Sequence, residues 1–244
     1  MTVSYDPMLV MLSILIAIAG TLTGLAITAG YESGGRRNYA ASLIKGAVVI
    51  GGSIWSMHFV AMLALQLPVL VSYNFVETIF SLYIAITGTL FGLFITSRRR
   101  LGAMSVPVGG LMMGAAIGGM HYLGMDAMRG CGISYAVPGV VASVVIAVAA
   151  SSIALWFTFR KRGAKETLAG GFMLGLAIPS MHYTAMLATR FSALGGNASP
   201  IEPLVSQNTL ALIITTATFV ICGAFLFLFS SLAIGDGASS SGQG

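Results

Sequence analysis

Seven stretches of this chain are apolar over about 20 residues each, long enough to cross a hydrocarbon core as helix, and that limits its fold more than any other feature. They fall near Met8–Ala29, Lys45–Leu67, Phe75–Thr96, Met104–Met128, Pro138–Phe159, Leu168–Thr189 and Asn208–Ala233. Lipid offers the backbone no hydrogen-bond partners, so spans of this kind must satisfy their own amides and carbonyls as helices. Hydrophobic residues make up 57% of the chain and charged residues only 8%, against roughly 25% in soluble domains. The expectation is an all-α polytopic membrane bundle of seven transmembrane helices. The first stretch does not read as a typical signal peptide: it lacks a positive leading region, runs too long and has its positive charges after it.

Basic residues set the orientation. Arg36, Arg37 and Lys45 lie between the first two stretches, Arg98–Arg100 between the third and fourth, and Arg160, Lys161, Arg162 and Lys165 between the fifth and sixth. Only Arg129 and Arg190 fall on the other side. The positive-inside rule then puts the N-terminus outside and the C-terminus in the cytoplasm of a bacterial inner membrane. The net charge of +5 is a topology signal and gives no support for nucleic-acid binding.

All three histidines stand in one recurring pattern: Met57-His58-Phe59-Val60-Ala61-Met62, Met120-His121-Tyr122-Leu123-Gly124-Met125 and Met181-His182-Tyr183-Thr184-Ala185-Met186. The copies mark an internal repeat of about 60 residues, a helix hairpin with a basic turn. Arg37, Arg100 and Lys161 each precede their histidine by 21 positions, which aligns the three imidazoles in depth. Three hairpins plus a final helix account for the seven spans. The histidines are expected below the outer surface, in the outer half of the membrane.

At 100° per residue, Gly51, Gly114 and Gly175, with Ala47, Gly110 and Gly171, fall within about 60° of their histidine's direction. Small residues let a neighbouring helix approach closely. The histidine face is therefore expected to be the packing face, with the three faces meeting in one bundle.

Imidazole and thioether groups together suit soft or borderline metals, copper above all. An ionisable ring inside a membrane defaults to function. The expected ligands are His58, His121 and His182, with Met62, Met125 and Met186 in nearly the same direction. Met57, Met120 and Met181 point about 100° away, toward neighbouring helices. Taken singly, each methionine is better explained as core packing than as a ligand. Cys131 is expected at the outer surface and Cys222 within the seventh span, too far apart to pair. A haem or copper redox protein, a metal transporter, and a structural protein whose histidines bond between helices are the alternatives. No catalytic triad, Cys-x-x-Cys pair, nucleotide loop or carboxylate dyad points to hydrolytic or nucleotide chemistry.

Three Met-His-aromatic motifs on alternate spans resemble the MHYT family of bacterial integral membrane sensors, over residues 8 to 233. Only Met181-His182-Tyr183-Thr184 reads in full; Phe59 and Val60 depart in the first copy and Leu123 in the second. The resemblance implies a copper centre built from the Met and His residues, sensing a diatomic gas such as oxygen, carbon monoxide or nitric oxide. Family members often continue into cyclic-di-GMP or kinase output domains, whereas a flexible tail closes this sequence at 234–244. The expected division is a sensor domain at 8–189, an outer loop and seventh helix at 190–233, and the tail. The chain is read as no enzyme itself, signalling to a separate cytoplasmic protein, with homo-oligomerisation through faces such as Gly88–Gly92 left open.

Overall fold

The computed structural model describes residues 3–29, 35–161, 163–193, 204–207 and 209–218, with Val220 and Gly223. Six long helices run through it: α1 Pro7–Ala29, α2 Gly35–Ala64, α3 Phe75–Ser97, α4 Ser105–Asp126, α5 Val137–Trp156 and α6 Ala164–Leu187. Five of the helices are long and apolar enough to cross a membrane. The sixth, α6, has 24 residues, and Gly170, Gly171, Gly175, Pro179 and His182 dilute its apolar run. A shorter apolar helix, Thr209–Thr218 (α7), opens the expected seventh span and buries Leu210 and Ile214. Asn208, Cys222 and the expected tail lie outside the described residues.

The six helices close into a ring in chain order, with α6 packed back against α1. The even helices turn their histidines inward. Of the apolar window of α2, 78% is buried, against 44% in both α1 and α4, 33% in α3 and 28% in α5, so α2 is the most enclosed of these five and α3 and α5 expose the most surface.

Among the described residues seven short strands amend the all-helical expectation: β1 Ser4–Tyr5, β2 Leu65–Gln66, β3 Ser72–Asn74, β4 Met128–Arg129, β5 Cys131–Tyr135, β6 Thr189–Ala193 and β7 Leu204–Ser206. Their pairing is the repeat itself. The strand before each odd helix runs antiparallel to the strand after the following even helix: β1 with β2, β3 with β4, β5 with β6. β7 joins the free edge of β3. Each repeat is thus strand, helix, helix, strand, and the strands cap the histidine end.

One backbone bond recurs in every copy. The amides of Asp6, Asn74 and Ala136 donate to the carbonyls of Ala64, Ala127 and Ala188, at 2.9, 2.8 and 2.9 Å. Each acceptor follows its motif histidine by six residues. The entry to each outer helix is therefore pinned to the exit of its inner helix, at a constant depth from the imidazole.

Two sequence expectations change. The basic residues are mostly not in loops: Arg36, Arg37 and Lys45 belong to α2, and Lys165 to α6. Hydropathy marks the part of a helix in lipid, and these helices run past it. The small-residue faces also have a different destination. A Cβ on Gly51 would stand 2.7 Å from the Cα of Ile86 in α3, on Gly114 2.5 Å from Val148 in α5, and on Gly175 2.6 Å from Ile18 in α1. At seven residues below the histidine, about 10 Å along the axis, each inner helix meets the outer helix of the next repeat, not another inner helix. Gly88 and Gly92 are likewise taken up inside the chain, against Ala116 and Met113 of α4.

Candidate metal centre

His58 of α2, His121 of α4 and His182 of α6 meet on the bundle axis, buried to 0%, 0% and 1% exposure. Their Nδ1 atoms form an equilateral triangle, each pair 3.2 Å apart. The rings stand nearly perpendicular, at 77° to 86°, with centroids 5.0–5.1 Å apart. Among the described residues this is the cluster of His, Cys, Asp and Glu side chains that could hold a metal ion.

Hydrogen bonds alone cannot satisfy this triangle. A neutral imidazole carries one N–H and one lone pair. For three mutually contacting Nδ1 atoms, any assignment of protons gives at least two of them the same role. One contact then sets lone pair against lone pair, or N–H against N–H. A central cation removes the conflict by accepting all three lone pairs. The centre of a triangle of edge 3.2 Å lies about 1.8 Å (3.2/√3) from each nitrogen, close to the 2.0–2.1 Å of an imidazole–metal bond. The three Nε2 atoms are buried without hydrogen-bond partners. With Nδ1 facing inward as the donor atom, those positions carry the ring protons. The residues present fit a metal.

The surroundings of the three rings repeat in the same order. Each histidine packs edge-to-face on the aromatic residue that follows it: Phe59 at 4.8 Å, Tyr122 at 4.8 Å and Tyr183 at 4.9 Å. Ser13, Ser81 and Ser143, at equivalent places on the outer helices, each donate to the carbonyl three residues back, at 2.7, 2.7 and 2.8 Å. Their lone pairs remain to accept. Ser143 takes the Tyr122 hydroxyl at 2.8 Å, and Ser13 the Tyr183 hydroxyl at 3.3 Å. Phe59 has no hydroxyl to give, and Ser81 takes the Trp55 indole N–H at 3.1 Å. The sequence reading missed these serines. Their spacing of 68 and 62 residues along the odd helices was the available signal.

Met57, Met62, Met120, Met125, Met181 and Met186 are all buried, at 4% exposure or less. Cys131 is outside the histidine cluster. It is also not at the surface as expected: pairing of β5 with β6 folds it into the cap, at 6% exposure. Burial pushes its thiol above the ordinary value, and does the same to the phenol of nearby Tyr73, with Cys131 adding to the effect. At the cap surface Arg129 pairs with Glu77 at 3.0 Å.

The sequence profile of the MHYT family, described as a bacterial signalling protein N-terminal repeat, matches residues 1–42, 51–109, 114–171 and 175–236. The chain is 33% identical over 231 residues to the bifunctional diguanylate cyclase/cyclic di-GMP phosphodiesterase MucR of Pseudomonas aeruginosa, covering 92% of this chain and 34% of that protein. It is 34% identical over 218 residues to the cyclic di-GMP phosphodiesterase NbdA of the same organism, covering 86% and 27%. The signaling protein YkoW of Bacillus subtilis is 30% identical over 238 residues, covering 95% and 29%. The chain thus spans about a third or less of the length of these curated relatives. No solved structure matches it.

Proposed function

The chain belongs to the MHYT family of bacterial signalling proteins, and we propose on that premise that it is a seven-span inner-membrane sensor whose histidine triad holds copper and reports a diatomic gas or the redox state. The observation that supports this reading is the Nδ1 triangle, three converging ring nitrogens whose contacts a central cation would reconcile. His58, His121 and His182 would hold the metal. Met62, Met125 and Met186, with Met57, Met120 and Met181, supply the buried thioethers that favour Cu(I). Copper there would supply a soft, redox-active centre able to take oxygen, carbon monoxide or nitric oxide.

The protein's own part is to bind three repeats at one point. A change of charge at the triad acts on α2, α4 and α6 together, and through the Tyr122–Ser143 and Tyr183–Ser13 pairs on α5 and α1. Rigid helices then carry a small displacement to the basic ends, where the positive-inside rule places the cytoplasm. MucR and NbdA are named for cyclic-di-GMP chemistry. The proposed recipient is an output activity of that class, whether in a separate cytoplasmic protein or joined to the sensor region at 8–189 and the loop and helix at 190–233. Axial haem ligation is disfavoured, because imidazoles 3.2 Å apart leave no gap for a porphyrin plane.

The test is infrared spectroscopy of the reduced, copper-loaded protein under carbon monoxide. The expected result is a carbonyl band that His121→Ala lacks. An identical band in His121→Ala, or none in the copper-loaded wild type, contradicts the gas-sensing reading.

A further inference from the structure

At the end of the bundle away from the histidines, α2 and α3 part around a cavity of 940 Å³. This junction is the least closely packed of the six in the ring. Leu43 and Ile44 of α2 face Leu90, Phe91 and Phe94 of α3 across it. Leu43 forms a buried floor, while Ile44 and Phe91 are 52% and 54% exposed, so the cleft opens sideways into the layer where acyl chains lie. A hydroxyl bond from Tyr39 to Ser97 bridges the two helices at its polar end.

The rim carries a cation, Arg98. The Arg98 guanidinium stands 4.2 Å over the Phe94 ring and lines the cavity mouth. In the sequence Arg99 and Arg100 follow it, and Arg36, Arg37 and Lys45 stand within nine positions of the α2 lining residue Ala40 or Ile44. Neither helix offers an acid to balance them there: α2 has none, and the single acid of α3, Glu77, is at the opposite end. An apolar cleft open to lipid, with arginine at its mouth and no carboxylate among its described lining residues, complements one class of molecule. Basic pockets between membrane helices take anionic lipid head groups.

We propose that this cleft is a binding site for an anionic phospholipid, its acyl chain lying between α2 and α3 and its phosphate paired with Arg98. The site is on the helix that carries His58, which follows Ile44 by 14 residues, about 21 Å along the axis. Lipid occupancy therefore bears on one arm of the triad from the far end.

The test is native mass spectrometry of the detergent-solubilised full chain, with phosphatidylglycerol and phosphatidylcholine of identical acyl chains. Wild type should retain one phosphatidylglycerol at least about tenfold more tightly than phosphatidylcholine, and Arg98→Gln should bring the two within about twofold. Ala40→Trp, which fills the cleft from α2 without touching a charge, should lose the bound lipid. Equal retention of both lipids by wild type overturns the proposal, as does an unchanged preference in Arg98→Gln. Stronger retention of an uncharged quinone than of phosphatidylglycerol also overturns it. Thermal unfolding of each variant separates lipid loss from misfolding. Should Arg98→Gln fail to fold, the Ala40→Trp result decides.

Discussion

The Tyr122 hydroxyl lies 2.8 Å from Oγ of Ser143, tying the ring beside His121 to the outer helix of the next repeat. Ser143 already donates to Val140, so Tyr122→Phe removes one bond without stranding a donor. A loss of about 1 kcal/mol is expected, with metal binding kept, as Phe59 occupies the same place beside His58. Ser143→Ala should cost a similar amount. The double variant should cost little more than either, since the two act on one bond. A double-mutant cycle by thermal unfolding checks this; fully additive losses would show that the pair is not coupled.

Gly124 faces the triad most closely. A Cβ there would stand 2.5 Å from Nε2 and 2.9 Å from Cδ2 of His58. Gly124→Ala should therefore push His58 off the axis, costing about 1–3 kcal/mol as overpacking and weakening metal retention more than Tyr122→Phe does. Metal content at equal folded fraction is the readout. Retention equal to wild type would mean that His58 is not a ligand.

The cap should loosen in alkali. Burial raises the Cys131 thiol and the Tyr73 phenol, and burial, then Asp126, raises Tyr135. Each group holds its proton more firmly folded than unfolded, so the unfolded state deprotonates first. Stability is intact below the ordinary values of 9.0 for the thiol and 10.0 for the phenols, and falls as pH rises through them. Maleimide labelling of Cys131 should be slow at pH 7 and accelerate, beyond the ordinary rise in thiolate, above about pH 9. A rate at pH 7 like that of an exposed thiol would count against the buried position.

Asn74 caps α3 by accepting from the Glu77 amide at 3.1 Å, while its own amide binds Ala127. Asn74→Ala should cost about 1 kcal/mol and speed hydrogen exchange in the first turn of α3. The equivalent Ala136 has no side-chain cap, so Ala136→Asp should stabilise α5 by a comparable amount. Unchanged exchange in both would show that the caps contribute nothing here.

The histidine convergence was legible in the sequence because position along a helix fixes direction: intervals of 63 and 61 residues, with a constant distance to the basic turns, bring three imidazoles to one depth. The same rule misled for Gly51, Gly114 and Gly175. Angle alone does not say which helix stands opposite 10 Å lower, and there the neighbour is an outer helix. Strands such as Leu65–Gln66 are two residues long and carry no alternation to detect; pairing with Ser4–Tyr5, some 60 positions away, defines them. The start of α2 at Gly35 escaped because hydropathy reports the lipid-facing part of a helix only.

The most direct measurement is copper content, by elemental analysis of the detergent-purified wild type beside the triple variant His58→Ala, His121→Ala, His182→Ala. The predicted result is about one copper or more per chain in the wild type and none in the variant. No metal in either, with both proteins folded, would contradict the metal centre and return the three histidines to a structural role.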